Sequence, residues 1–140
     1  MRVMVIVKAT KDSEAGVLPS EQFLAAMGKY NEELVKAGVM LAGEGLHSSS
    51  KGKRIEFSGG KTTVTDGPFT ETNELIAGFW LWQVRSMEAA VEWLKRSPFQ
   101  AGEVEVRQVL EAGDFGAELT PDLKEREEQL RNRVERKKAS

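Results

Sequence analysis

The sequence predicts an α+β domain in which two helices cover one face of an antiparallel sheet, in a split βαβ order. Three observations lead to this prediction. Residues 3–7 are almost all β-branched or apolar, and residues 76–84 form an apolar, aromatic-rich run, so each suits a central strand. A helical pattern follows each of these two runs. The order along the 140 residues is therefore strand, helix, strands, helix, strand.

The composition is that of one folded domain with a sizeable core. Hydrophobic residues make up 40% of the chain and charged residues 30%, which argues against a disordered chain. The formal net charge of -2 provides no basic field for nucleic acid, and the absence of cysteine excludes disulfides and a thiolate nucleophile. No apolar run has the length of a signal peptide or membrane helix, so we expect a cytoplasmic protein without a membrane partner.

The first long helix is predicted between Pro19 and Gly38. Proline suits a first helical turn, Ser20 is a favourable N-cap, and glycine commonly follows the last turn. The buried stripe of this helix is predicted to consist of Phe23, Met27, Tyr30, Leu34 and Ala37. Residues 8–18, which precede the helix, are predicted to form a loop because polar residues and glycine interrupt the apolar pattern.

Four more strands complete the predicted set. They are a strand that starts at residues 39–42, a hairpin of residues 54–57 and 62–65, and a last strand at residues 103–110 with one exposed face.

The strand at residues 76–84 has a distinct side-chain pattern. Because side chains alternate across a strand, Trp80 and Trp82 are predicted on one face and Phe79 and Leu81 on the other. Gly78, in the strand interior, is expected to mark a bulge or a close approach by another backbone.

Two further helices are predicted. One begins at the N-cap Ser86 and ends before Pro98, with a buried stripe formed by Met87, Ala90, Val91 and Leu94. The other opens at Thr120 and is so highly charged that its apolar stripe holds only Leu123, Leu130 and Val134. We therefore expect residues 1–116 to form the folded domain and residues 117–140 to form a charged helical extension.

A homodimer is predicted from the two central strands. Two helices can cover only one face of the sheet, whereas residues 3–7 and 76–84 are apolar on both faces. The uncovered face needs a partner, and the same sheet of a second copy is the simplest one. The sequence thus predicts two copies with their sheets packed face to face.

Two groups of polar residues are candidates for chemistry. His47 is the only histidine, follows Glu44 by three residues, and suits proton transfer near neutral pH. Asp66, Glu71 and Glu74 surround an Asp-Gly-Pro-Phe turn, and carboxylates held close together suit general acid/base work. The alternatives are a surface histidine, and a turn-capping aspartate with two solvated glutamates.

These groups define a predicted site near the dimer interface. His47 and Asp66 are the acid/base candidates, and the ligand-binding candidates are Glu44, Phe69, Glu71, Glu74 and Trp80. The carboxylates also have the chemistry to hold magnesium or calcium, but no metal-loop spacing accompanies them. Because nucleophile-elbow and phosphate-loop motifs are absent as well, we predict no metal and no cofactor.

The segment Asp66-Gly67-Pro68-Phe69, with Glu71 and Glu74 after it, resembles the DGPF-domain branch of the YCII-related family. Residues 43–46 (Gly-Glu-Gly-Leu) and 104–107 (Val-Glu-Val-Arg) support the resemblance, which covers residues 1–112. The usual motif of that branch is Asp-Gly-Pro-Phe-Ala-Glu-Thr-Lys-Glu. Thr70 replaces the alanine here, and Asn73 replaces the lysine.

The resemblance implies a ferredoxin-like fold that forms a dimeric α/β barrel, and it implies no settled activity. Members of the wider family are proposed to use a His–Asp pair with the histidine early in the chain. Residues 8–38 contain no histidine, so this pair does not transfer. DGPF proteins are also associated with extracytoplasmic-function sigma factors, which implies a regulatory alternative.

Two functional hypotheses are therefore open. The first is a small-molecule site near the dimer interface, with or without acid/base catalysis. The second is a non-catalytic regulatory or protein-interaction module, favoured by the missing nucleophile and the charged tail.

Overall fold

The computed structural model of this chain describes residues 1–71 and 74–139. It contains two compact units, of which the first spans Met1–Val109 and the second begins at Leu110. The first unit is composed of β1 (Arg2–Lys8), α1 (Lys11–Glu14), α2 (Glu21–Lys36), β2 (Met40–Gly45), β3 (Lys53–Ser58), β4 (Lys61–Asp66), β5 (Ile76–Gln83), α3 (Met87–Lys95) and β6 (Val104–Gln108). The second unit contains a 3₁₀ turn (Ala112–Asp114) and α4 (Pro121–Ala139).

The main sheet is antiparallel throughout, with strand order β2-β5-β1-β6. This order is that of a split βαβ, ferredoxin-like α+β domain, so the predicted α+β class and strand arrangement are confirmed, while the dimeric barrel stays a prediction. β1 and β5 are the two central strands, as their apolar runs predict. The strands β3 and β4 pair only with each other, as a separate hairpin.

One face of the main sheet carries the hydrophobic core. Val3, Val5 and Trp82 are completely buried and Trp80 is 5% exposed. They pack with Tyr30 and Leu34 of α2 and Ala90 of α3, so the chain's own helices cover this face. Each fully buried side chain of this size contributes about 1.5–3 kcal/mol. The prediction that the two tryptophans share a face is confirmed.

The other face of the main sheet is also apolar at its centre. Met4 and Ile6 of β1 pair in register with Leu81 and Phe79 of β5. All four side chains are half-buried and lie outside the core cluster. This is the face for which the sequence predicts a second copy, and the homodimer stays a prediction.

The segment predicted as a loop before α2 contains a helical turn, so that prediction is wrong for α1. A reciprocal capping box begins the turn: Thr10 Oγ1 accepts from the Ser13 amide at 3.1 Å, and Ser13 Oγ accepts from the Thr10 amide at 2.8 Å. Sequence inspection misses it because the box uses serine where glutamate or glutamine is usual, and because no apolar period follows.

The remaining helices begin and end close to their predicted bounds. Ser20 caps α2 by accepting from the Phe23 amide at 3.1 Å, and Ser86 caps α3 by accepting from the Ala89 amide at 3.1 Å. The stripe of α4 is exposed, at 45% for Leu123, 56% for Leu130 and 53% for Val134. Among the described residues, no helix combines the length and apolarity that a membrane crossing requires.

The β3–β4 hairpin differs from its predicted half-exposed state. Its strands have the predicted alternation, with Ile55 opposite Val64 and Phe57 opposite Thr62. Every residue of both strands is nevertheless exposed, including 78% of Phe57. Alternation therefore identified the strands correctly, but it could not show whether either face is covered.

Candidate functional site

A cleft of about 520 Å³ opens at the end of the main sheet where β1 and β2 finish and β5 and β6 begin. Its floor is aromatic and is formed by Phe23, Trp80 and Phe99. The ring centroids of Phe23 and Phe99 are 5.9 Å apart, and those of Trp80 and Phe99 are 6.0 Å apart. Cavities of this volume with mostly apolar walls are typical of small-molecule sites.

Trp80 is fixed in this floor from two directions. Its indole N–H donates to Asn31 Oδ1 at 3.0 Å, so the polar atom is satisfied away from any ligand. Gly43 lies opposite it in β2, and a Cβ atom at position 43 would be 2.5 Å from Trp80 Cδ1. Glycine at position 43 therefore makes room for the indole ring.

The strand β2 continues through the Gly-Glu-Gly segment to the edge of the cleft. The sequence predicts that this strand starts at residues 39–42, and in the structure it continues until Gly45, which pairs with Gly78 of β5. A Cβ atom at position 78 would lie 2.9 Å from the Glu44 carbonyl oxygen, which confirms the close backbone approach predicted there. The extension places Glu44 beside the cleft.

The rim of the cleft is polar and carries an excess of carboxylates. Its charged or hydroxyl-bearing residues include Lys8, Asp12, Ser13, Glu44 and Glu103. Lys8 Nζ is paired with Glu105 at 3.5 Å. Within the described ranges, the carboxylates of Asp12, Glu44 and Glu103 have no ion-pair partner, so the uncompensated charge of the rim is negative.

The Asp-Gly-Pro-Phe segment forms a loop, here called the DGPF loop (residues 66–71), that packs on a 3₁₀ turn at Ser49–Lys51. The Gly67 amide donates to the Gly52 carbonyl oxygen at 3.0 Å, and the Phe69 amide donates to Ser49 Oγ at 2.9 Å. The Gly67–Pro68 peptide bond is cis. These contacts fix the path of the loop across the turn.

Side chains of the DGPF loop are engaged with β3. Lys53 Nζ pairs with Asp66 across the hairpin. Arg54 Nη1 lies 3.2 Å from Glu71 Oε2, and its guanidinium carbon lies 4.0 Å from the centroid of the Phe69 ring. A hydrogen bond from its own backbone amide, followed by the bond from Arg54, lowers the pKa of Glu71.

The seven predicted site residues fall into separate groups. Glu44 and Trp80 line the cleft, whereas Asp66, Phe69 and Glu71 belong to the DGPF loop. His47 and Glu74 are exposed, and among the described residues no hydrogen bond or ion pair joins His47 to Asp66. The roles assigned to all seven stay predictions. Asn73, which departs from the family motif, lies outside the described residues.

Sequence inspection did not single out several residues that form this region. Phe99 supplies the cleft floor and Asp12 the rim, while Glu14 binds Ser49 from 35 positions away in the chain. No local pattern marks them, because each acquires its neighbours only when distant segments meet. In the part of the chain that the structure describes, no three histidine or carboxylate side chains are grouped closely enough to hold a metal ion.

Fold and cleft together define a ferredoxin-like α+β domain with a cavity of small-molecule size. The chain belongs to the YCII-related family, because the model of the YCII-related domain matches residues 1–113. An uncharacterized protein of Rhizobium meliloti (strain 1021) is 29% identical over 90 residues, which are 62% of this chain and 73% of that relative.

A solved structure with some similarity is a 5-chloro-2-hydroxyhydroquinone dehydrochlorinase from Burkholderia phenoliruptrix AC1100, in complex with 2,5-dihydroxybenzoquinone. Its TM-score is 0.42 and its sequence identity 18%, over 82% of this chain and 100% of that chain.

Proposed function

We propose that this chain binds a small molecule with an apolar ring in the cleft at the end of the main sheet. The observation that carries the proposal is the aromatic floor of Phe23, Trp80 and Phe99 beneath a cavity of about 520 Å³. Aromatic side chains bind planar apolar groups by burying large areas and by offset or edge-on ring contacts. The indole N–H of Trp80 already donates to Asn31, so a ring that packs on the floor does not have to supply a hydrogen-bond acceptor for it.

The rim adds a charge preference to this proposal. Asp12, Glu44 and Glu103 line the cleft, and their carboxylates have no ion-pair partner among the described residues. Among the described residues that line the cleft, Lys8 is the one cation, and Glu105 already pairs with it. Negative charge near an apolar cavity repels an anion and attracts a cation. We therefore expect a neutral or cationic ligand to bind more tightly than an anion of the same shape.

A homodimer belongs to the same proposal. The half-buried face with Met4 and Leu81 continues to the cleft, because Glu44 and Phe79 lie on that face and also line the cavity. A second copy packed on this face would therefore bring its own residues close to the cleft. This arrangement corresponds to the ligand pocket near a dimer interface that the sequence predicts.

Acid/base catalysis is the finer form of this hypothesis. His47 lies two residues after the end of β2, and Glu44 of that strand lines the cleft. This proximity in the chain supports a proton-transfer role for His47 near the cleft. If the role is correct, His47→Ala and Asp66→Asn will each abolish turnover of an identified substrate while ligand affinity persists. Unchanged turnover in both variants would remove these residues from the reaction.

Probe binding tests the small-molecule proposal directly. N-phenyl-1-naphthylamine is neutral and apolar, and 8-anilinonaphthalene-1-sulfonate has the same ring system with an added sulfonate. We expect the neutral probe to bind more tightly. Ala101 lines the cleft and Gln100 precedes it without lining it, so Ala101→Phe should block binding and Gln100→Phe should not. Equal binding by both variants would place the probe outside the cleft and contradict the proposal.

A second candidate function is a non-catalytic interaction module that uses α4. The supporting observation is the exposed apolar stripe of Leu123, Leu130 and Val134 on an otherwise charged helix. The resemblance to DGPF proteins points to an extracytoplasmic-function sigma factor as the regulatory partner. Leu130→Glu should then abolish capture of such a sigma factor without altering probe binding in the cleft. Capture that is unaffected by this change would exclude α4 as the contact.

A further inference from the structure

We infer that the DGPF loop positions α1 at the rim of the cleft, with Ser49 as the physical link, and so controls ligand binding in a cavity that the loop does not line. The part of this inference that concerns ligand binding rests on the proposed function. The link between the loop and α1 is a separate property that can be measured without any ligand.

Packing alone cannot hold α1 in place. The helix has only four residues, and none of them is buried. The apolar residues that follow it are also exposed, at 57% for Val17 and 84% for Leu18. A single helical turn is unstable in isolation, because nucleation costs more than its few hydrogen bonds return. The capping box shapes the turn locally but does not attach it to the rest of the domain.

The attachment comes from Glu14, the last residue of α1. Its Oε1 accepts from the Ser49 amide at 2.9 Å, and its Oε2 accepts from the Ser49 hydroxyl. Among the described residues, these are the hydrogen bonds that join α1 to another element. Hydrogen bonds to a carboxylate are about twice as strong as neutral ones. Both Glu14 oxygens bind the same residue, so the position of α1 follows that of Ser49.

Ser49 is in turn positioned by the DGPF loop. Its Oγ donates to Glu14 and accepts from the Phe69 amide at 2.9 Å, which uses its donor and one acceptor position together. Gly67 packs on the Ser49 carbonyl oxygen so closely that a Cβ atom there would lie 1.7 Å from it. Backbone and side chain of Ser49 are thus both fixed from the loop.

Two other residues of α1, Asp12 and Ser13, line the rim of the cleft. A continuous series of contacts therefore runs from Phe69 through Ser49 and Glu14 to these two rim residues. Loss of the Ser49 hydroxyl removes one of the two bonds to Glu14 and the bond from the Phe69 amide, without changing any residue that lines the cavity. The roles of Glu14, Ser49 and Phe69 in binding are positioning roles.

Hydrogen exchange and probe binding on the full chain test the inference. In Ser49→Ala we expect faster exchange of the α1 amides and about tenfold weaker binding of N-phenyl-1-naphthylamine. Ser50→Ala is the matched control, because the Ser50 hydroxyl bonds the neighbouring Ser48 hydroxyl and no other group among the described residues, and it should leave both measurements unchanged. Ser49→Thr keeps the hydroxyl and should restore slow exchange.

A double-mutant cycle with Glu14→Ala distinguishes the link from general destabilisation. If Ser49 acts through Glu14, the double variant will be no more impaired than Glu14→Ala alone, which already removes both bonds to Ser49. Additive effects, or α1 exchange unchanged in Ser49→Ala, would overturn the inference. If Ser49→Ala fails to fold, Glu14→Ala supplies the same two measurements. If the wild-type chain binds no probe, the proposed function fails, while exchange of the α1 amides still decides the link.

Discussion

Gly67 lies so close to Ser49 that a Cβ atom at position 67 would stand 1.7 Å from the Ser49 carbonyl oxygen. That distance is far below van der Waals contact, so only glycine fits without a backbone shift. The DGPF loop and the 3₁₀ turn at Ser49–Lys51 therefore form one tightly packed structure. The glycine of the motif is explained by this packing rather than by a contact with a ligand.

The first prediction concerns this contact. Gly67→Ala should lower the free energy of unfolding by about 1–3 kcal/mol, the usual cost of inserting a methyl group into packed structure. The matched control is Gly28→Ala in α2, where a Cβ atom meets nothing within 4 Å and alanine should stabilise the helix by up to about 1 kcal/mol. Urea unfolding measures both. Equal midpoints for the two variants would refute the packing argument.

The second prediction concerns the cleft floor. Gly43→Ala should displace the Trp80 indole, because the new Cβ atom would lie 2.5 Å from Cδ1. We expect altered near-ultraviolet circular dichroism and weaker binding of the neutral probe. Trp80→Leu removes the opposing ring, so Gly43→Ala should cost less stability in that background than in the wild type. A cost that is the same in both backgrounds would show that Trp80 is not the cause.

The third prediction is a loss of stability at alkaline pH that depends on Tyr30. Burial raises the pKa of Tyr30 from 10.0 to about 12, and its hydroxyl donates to the Trp93 carbonyl oxygen at 2.6 Å. Above pH 10 the unfolded chain releases the phenolic proton while the folded chain keeps it, so stability falls as pH rises towards 12. A shift of this size corresponds to at most about 3 kcal/mol.

Tyr30→Phe isolates this contribution from other groups that titrate in the same range. The variant should be less stable than the wild type below pH 10, because it leaves the Trp93 carbonyl oxygen without this donor. The difference between the two proteins should narrow between pH 10 and 12, as measured by chemical denaturation at each pH. A difference that is constant over this interval would contradict the assignment.

The fourth prediction tests the homodimer. Met4→Lys and Leu81→Lys place a charge at register-paired positions on the half-buried sheet face, and each should convert a dimer into monomers. Val35→Lys on α2 is the control, since Val35 is already 60% exposed on the helical side. Sedimentation velocity gives the subunit number. A wild-type chain that sediments as a monomer at micromolar concentration would end the dimer proposal.

Periodicity in the sequence was sufficient for most of the fold. The alternation around Trp80 and Trp82 correctly predicted that both rings lie on one face of the sheet. The stripe with Tyr30 and Leu34 correctly predicted the buried side of α2, which covers that face. It failed for α1, which has no apolar period because no residue of that helix is buried. It also could not show that both faces of the β3–β4 hairpin are exposed, since coverage depends on elements elsewhere in the chain.

The candidate site was only partly accessible from sequence. Glu44 and Trp80 were selected and line the cleft, whereas Phe99 and Asp12 carried no signal. The Asp-Gly-Pro-Phe motif indicated the DGPF loop as a candidate region. It did not predict that the loop contacts Ser49. Hydrogen-bond partners 20 and 35 positions apart, as in Phe69–Ser49 and Ser49–Glu14, leave no mark in local patterns.

The sequence by itself determined the order of the elements, the central strands and the face on which the tryptophans lie. Those properties follow from the side-chain periods of strands and helices, which act over a few residues. Tertiary structure alone decided that the ends of β1 and β2 and the starts of β5 and β6 surround a shared cleft, and that Glu14 and the DGPF loop meet at Ser49. The physical reason is that such contacts depend on the path of the whole chain, which brings distant residues to one place.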